Sequence, residues 1–225
     1  VSECVIKLGR GFRFITPQSG STFLIGCSMP LISLSQELSQ AGFSGLEFAG
    51  GIPASVGGAV RMNAGAHGGE IGALIKRVWL VNETAEIEEY SAKDLQFSYR
   101  HSSIKHGNLI YKIEIELTSG HKDLILGKRA EFLAHRKAAQ PITLPSSGSI
   151  FRNPSPELSA GVLIERTGLK GFKVGAAKVS EKHGNWIVNE ERKATALDVI
   201  AVISKCKEEA FAQFQINLQE EIIIW

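Results

Sequence analysis

The sequence predicts an α+β fold in two domains, and three observations predict it. Strand-like and helix-like runs are interspersed without a regular strand–helix–strand rhythm, which argues against a doubly wound parallel sheet. The run Ile110 to Leu117 alternates Ile113, Ile115 and Leu117 with Lys112, Glu114 and Glu116, the period of a strand with one buried and one wet face. A stretch rich in turn residues (Pro141, Pro145, Ser146, Ser147, Gly148, Pro154, Pro156) follows a helix-like segment and marks a domain junction near residues 125 to 140.

Taken in order, the chain opens with short β-rich runs, Val5–Leu8, Phe12–Ile15 and Thr22–Ile25, punctuated by Gly9, Gly11, Pro17 and Gly20. Leu31, Leu34, Leu38 and Ala41 then share one helical face, with Gly42 as the stop. Strands follow at Lys76–Val81, Ile87–Tyr90 and Ile110–Leu117, and a helix at Asp123–Gln140 ends before Pro141. A short helix at Gly161–Arg166 is closed by Gly168, and Lys173–Val179 and Trp186–Val188 read as strands. Thr195 and Asp198 form a capping box for the longest helix, with Val199, Val202, Cys206, Ala210 and Phe214 on one stripe. Glu221–Trp225 reads as a last strand.

Composition excludes more than it selects. The 225 residues carry 25 basic and 23 acidic side chains, so a net charge of +2 gives no argument for nucleic acid or a membrane surface. No run approaches the roughly 20 apolar residues of a membrane-spanning helix. Cys4, Cys27 and Cys206 are scattered, with no CxxC pair for zinc, and fit a reduced, cytoplasmic compartment.

Three segments have the residue types of a site. Gly50 to Gly69 is dense in glycine, whose exposed N–H groups can cradle a pyrophosphate or merely form tight ligand-free turns. It has neither GxxxxGK[ST] nor a GxGxxG fingerprint. Phe97-Ser-Tyr-Arg-His-Ser102 places Tyr99 and Arg100 on opposite faces if extended, where Arg100 is either a surface residue or a bidentate carboxylate clamp. Pro145-Ser-Ser-Gly-Ser-Ile-Phe-Arg-Asn-Pro154 offers Ser149 as a turn serine or a proton donor. It lacks the Gly-x-Ser-x-Gly elbow of a nucleophile. His183 has no companion ligands and reads as a hydrogen-bonded structural histidine.

These segments together resemble the UDP-N-acetylenolpyruvoylglucosamine reductases. The resemblance rests on Gly45–Ala66, on Tyr99-Arg-His-Ser102, on Gly148-Ser-Ile-Phe-Arg-Asn-Pro154, and on Ala160–Gly171 with Val179–Asn189 and Leu218–Ile222. It implies an FAD-binding domain of the MurB/PCMH type (its second subdomain) over residues 1–125, and a C-terminal α+β substrate domain over 126–225. It implies FAD along Gly57, Gly58, Ala59, Asn63 and Gly65, with NADPH as donor. Arg100, Ser149 and Glu221 would be catalytic. Tyr99, Ser102, Asn153 and Lys170 would bind the UDP-sugar substrate or support its binding, and no metal is implied.

The short spacing from Arg100 to Ser149 resembles the compact subtype of the family. The pattern is departed from at Ala54, at Ala139 where lysine is usual (with Lys137 nearby), at Glu220 and at Ile223. The family's amino-terminal Gly-x-Gly-Ser-Asn loop is not found, so a fragment beginning within the family's fold is expected. Two alternatives stay open: another FAD oxidoreductase of this fold, and a flavin-free binding or vestigial protein.

Overall fold

The computed structural model describes residues 5–224. Cys4, and Trp225 of the expected last strand, lie outside the described residues. The chain divides into two compact units, one up to Ala134 and the other from His135.

The first unit contains β1 (Ile15–Pro17), β2 (Thr22–Gly26), α1 (Leu31–Gln40), β3 (Phe43–Ser44), α2 (Val56–Arg61), β4 (Gly65–Ala66), β5 (Gly69–Glu70), β6 (Ile75–Val81), β7 (Ile87–Ser91), β8 (Phe97–Ser98), β9 (His101–Ser102), β10 (Leu109–Glu116) and β11 (Thr118–Ser119), and most of α3 (Lys122–Ala139). Its main sheet is antiparallel in the order β1-β2-β10-β6-β7. β10 is central, and Ile113 and Ile115 are fully buried against Phe23, Ile25 and Val78 in one hydrophobic core. α1 closes that core because Leu31, Leu34 and Leu38 recur at helical spacing. It stops where Gly42 adopts φ +85°, a conformation glycine takes without steric cost.

Two expectations fail in this unit. Val5–Leu8 is not a strand; the glycines on its far side lead into a 3-10 turn at Arg10–Phe12, and pairing begins at Ile15. The wet face of β10 is also not wholly wet. Glu114 is buried at 9% exposure, made tolerable by Arg77, whose Nε and Nη2 donate to it at 3.1 and 2.7 Å.

The second unit holds β12 (Ser146–Ser149), α4 (Ala160–Arg166), β13 (Lys173–Val174), β14 (Ala177–Val179), β15 (Trp186–Val188) and α5 (Ala196–Phe214). Its sheet runs β12-β15-β14-β13 and is antiparallel. The capping box at the start of α5 forms as expected: the Asp198 N–H donates to Thr195 Oγ1, and the Thr195 N–H to the Asp198 carboxylate. Val202, Cys206 and Ala210 are buried in the unit's core, but Phe214, at the frayed end, is 36% exposed.

Lys173–Val179 is a hairpin and not one strand, since Gly175 at φ +53° turns the chain between Val174 and Ala177. Among its described residues, the terminal segment makes an isolated antiparallel bridge, Phe151 to Glu220, in place of a strand. Among the described residues, no helix is long and apolar enough to cross a membrane.

Candidate functional site

In the first unit, a cavity of about 840 Å³ is lined by Gly57, Gly58 and Ser55 on one wall, and by Cys27, Lys7, Arg10, Arg13 and Arg61 around it. Its size suits a dinucleotide-class ligand, since such sites run from about 300 to 1,000 Å³. Among the described residues, no carboxylate lines it, and four cationic side chains do. A diphosphate therefore meets matched charge although the whole chain is almost neutral.

The glycines act differently from the expected N–H cradle. Gly57 and Gly58 open α2, a helix that the glycine density concealed in the sequence. The first N–H groups of α2 are already spent: Val56 donates to the Met29 carbonyl at 2.9 Å, Gly57 to the Cys27 carbonyl at 2.8 Å and Gly58 to Ser55 Oγ at 3.2 Å. What Gly57 supplies is close approach. A Cβ there would stand 3.2 Å from that of Cys27 and 3.3 Å from its carbonyl oxygen. Cys27 itself is buried, and burial pushes its thiol up from the ordinary range.

Of the other three glycine-segment residues, none lines the cavity. Ala59 is buried in the core. Asn63 is buried in the left-handed conformation, φ 42°. Its amide nitrogen donates to Glu70 Oε2 at 2.8 Å and to the Ser98 carbonyl at 3.0 Å, and its amide oxygen accepts from the Gly72 N–H at 2.9 Å. It ties the glycine loop to itself and to β8. Gly65 belongs to the β4–β5 hairpin and has no room for a side chain, with the Gly69 carbonyl oxygen 2.5 Å from a would-be Cβ.

Tyr99 and Arg100 are not extended. They form the turn of the β8–β9 hairpin, with Arg100 at φ 54°. The Arg100 guanidinium lies 5.0 Å from the Tyr99 ring and donates from Nη2 to the Gly65 carbonyl at 3.2 Å. The segment after this turn is held by Arg61, which its sequence neighbourhood does not single out. Its Nη1 donates to the carbonyls of Ile104 and Lys105 at 2.7 and 2.8 Å, and its Nη2 to that of Asn108. Ser102 Oγ donates in turn to the Arg61 carbonyl at 2.8 Å. One residue thus fastens the segment after Arg100 to the cavity wall. Burial draws its guanidinium pKa down from the ordinary arginine value.

In the second unit, Ser149 and Glu221 come from chain ends 72 residues apart and meet on neighbouring segments. β12 pairs with β15 through Ser146–Val188 and Ser149–Trp186, so β12 holds one extra residue, a bulge at which Gly148 takes φ +81°. Bulges re-aim the side chain that follows them, and here that side chain is Ser149. The chain beyond it is held on both sides. The Phe151 N–H donates to Asn185 Oδ1 and Asn185 Nδ2 to the Phe151 carbonyl, both at 2.8 Å. On the other side, the Glu221 N–H donates to the Ile150 carbonyl at 2.7 Å. Glu220 is committed to Lys207 at 2.9 Å, which holds its carboxyl below the usual range.

Asn153 Oδ1 accepts from the Ala160 N–H at 3.1 Å and so helps cap α4, while Lys170 pairs with Glu165 at 2.9 Å. His183 Nδ1 accepts from the Asn185 N–H at 3.2 Å; burial, then the charge of Lys170, keeps the ring neutral to lower pH. That is the structural histidine expected. No group of three metal-capable side chains occurs among the described residues.

The missed residues, Lys7, Arg10, Arg13 and Arg61, had one legible signal. The first three fall within seven positions, separated by glycines, a local density that the net charge averages away.

Comparison with known proteins shows the family. Residues 2–91 match the FAD binding domain model, and residues 140–225 match the C-terminal domain model of UDP-N-acetylenolpyruvoylglucosamine reductase. The reductase of Heliobacterium modesticaldum is 42% identical over 97% of this chain and 69% of its own length. That of Anoxybacillus flavithermus is 40% identical over 100% of this chain and 74% of its own. The crystal structure of the Thermus caldophilus enzyme superposes with a TM-score of 0.81 at 38% identity, covering 90% of this chain and 72% of that one. The chain therefore belongs to the UDP-N-acetylenolpyruvoylglucosamine reductase family.

Proposed function

We propose that this protein catalyses the NADPH-dependent, FAD-mediated reduction of UDP-N-acetylglucosamine enolpyruvate to UDP-N-acetylmuramate, a cytoplasmic step in making peptidoglycan precursors. The observation that carries this reading is the cavity lined by the four cations Lys7, Arg10, Arg13 and Arg61 together with Gly57 and Gly58. Its charge and its close-approach glycine fit the diphosphate of FAD. In this reading residues 1–125 serve the flavin and 126–225 the UDP-sugar. The bound flavin, reduced by NADPH, supplies the hydride.

The protein's own groups supply alignment and polarity. Arg100, always charged and planar, holds the enolpyruvyl carboxylate and offsets the electron density that builds there after hydride arrives at the vinyl end carbon. Ser149 gives its hydroxyl proton to the adjacent carbon, completing the C–H pair. A serine is a weak acid, so it serves only a strongly basic carbon in a dry setting, and Glu221 on the next segment helps orient the reacting groups. Tyr99, Ser102, Asn153 and Lys170 position these groups and the sugar diphosphate. Asn63, Ala59 and Gly65 shape the flavin loop from behind.

Anaerobic stopped-flow spectroscopy of the flavin-loaded protein tests the reading. NADPH should bleach the flavin, and the enolpyruvyl substrate should restore its colour. In Ser149→Ala the bleaching should persist, while recovery slows by about 10²-fold or more. A protein that takes up no FAD, or a variant in which both phases are unchanged, refutes it.

A further inference from the structure

We propose that Trp186 is a positioning residue for Ser149: its indole forms the dry wall against which the serine hydroxyl works. This rests on Ser149 being the proton donor. Three observations support it. Trp186 is the direct antiparallel partner of Ser149, and directly opposed residues place their side chains on one face of a sheet, about 4.5–5.5 Å apart at Cβ. Trp186 is 5% exposed, and Ser149 beside it is half-buried. The indole Nε1–H is buried and has no acceptor within hydrogen-bonding distance in the protein. A buried donor left this way is destabilising, and a site that tolerates it asks for an explanation.

The surroundings fix the ring. The Trp186 N–H donates to the His183 carbonyl at 3.1 Å, and its own carbonyl accepts from Ser180 at 2.8 Å. The His183 ring meets the indole edge-on, with centroids 6.4 Å apart. The bulge at Gly148 sets the register that brings the hydroxyl opposite this ring. An apolar wall is what the serine's chemistry needs. It removes competing water, and a dry site strengthens each polar contact made there.

A double-mutant cycle on the flavin-loaded full chain tests this, with a second readout that needs no turnover. Trp186→Ala should slow flavin reoxidation by substrate about tenfold and leave bleaching by NADPH unchanged. Trp186→Phe, which keeps a ring in place, should restore most of the rate. In a Ser149→Ala chain, Trp186→Ala should change reoxidation less than about twofold, because the group it acts through is gone. By nuclear magnetic resonance, the indole Nε1–H signal, assigned by its loss in Trp186→Phe, should shift on Ser149→Ala. Equal losses in both backgrounds, or an unmoved indole signal, overturn the proposal alone. A Ser149→Ala chain that reoxidises at the full rate overturns the proton-donor reading beneath it.

Discussion

Removing the Asn63 side chain should unfold the first unit more easily even when no flavin is present. The residue makes three side-chain hydrogen bonds, to Glu70, Ser98 and Gly72, while 1% exposed. At about 1 kcal/mol net for each bond, Asn63→Ala costs roughly 3 kcal/mol. The backbone adds to this, because φ is 42° and a left-handed alanine costs about 1–2 kcal/mol more than a glycine. Asn63→Ala should therefore lose about 4 kcal/mol, and Asn63→Gly about 1 kcal/mol less than that. Urea unfolding of the flavin-free protein, extrapolated to water, measures both. If Asn63→Ala left the flavin-free protein as stable as the parent and only weakened FAD binding, the side chain would serve the cofactor and not the loop. Equal losses for Ala and Gly would show that the positive φ is unstrained.

Three further outcomes are expected. His183 has a lowered pKa, so the unfolded chain protonates first; stability should fall as pH drops through about 6.5 towards the lower folded value, and this component should vanish in His183→Gln, read by thermal melting across pH. Asn185→Leu removes both hydrogen bonds to Phe151 and strands two buried backbone groups, which should cost roughly 2–4 kcal/mol by denaturant titration. Burial pushes the Cys206 thiol up to about 12, so it should resist a thiol reagent at pH 8 until denaturant is added; stability from burying the neutral thiol should decline as pH rises from 9.0 towards that value. Reaction of native Cys206 at the rate of an open thiol would contradict its place in the core.

The helices α1 and α5 were legible because their signals are local. The spacing of Leu31, Leu34 and Leu38, and the Thr195–Asp198 box, are written within a few residues and reappear unchanged. What escaped reading depends on partners far along the chain. Glu114 is buried because Arg77 reaches it, and nothing near residue 114 announces that. The strand expected over Glu221–Trp225 does not form among the described residues; the bridge there, Phe151 to Glu220, precedes it and joins segments 69 positions apart. Arg61 lies within the glycine-rich segment, but its role comes from three carbonyls at residues 104, 105 and 108, far along the chain. The bulge at Gly148 was equally hidden, for a register shift is a property of two strands.

The hydrogen bond from Gly57 to Cys27 has a consequence for synthesis. Cys27 is itself seated by donating its N–H to the carbonyl of Tyr111, in β10. On a ribosome the glycine-rich segment emerges long before β10, and the sheet's central position stays empty until then. The wall of the cavity is thus among the last parts of its unit to take shape. Such long-range pairing folds slowly. A nascent chain halted near residue 100 would hold every glycine of this segment and still lack the seat for them. Cofactor loading should therefore wait for the strand and not for the loop.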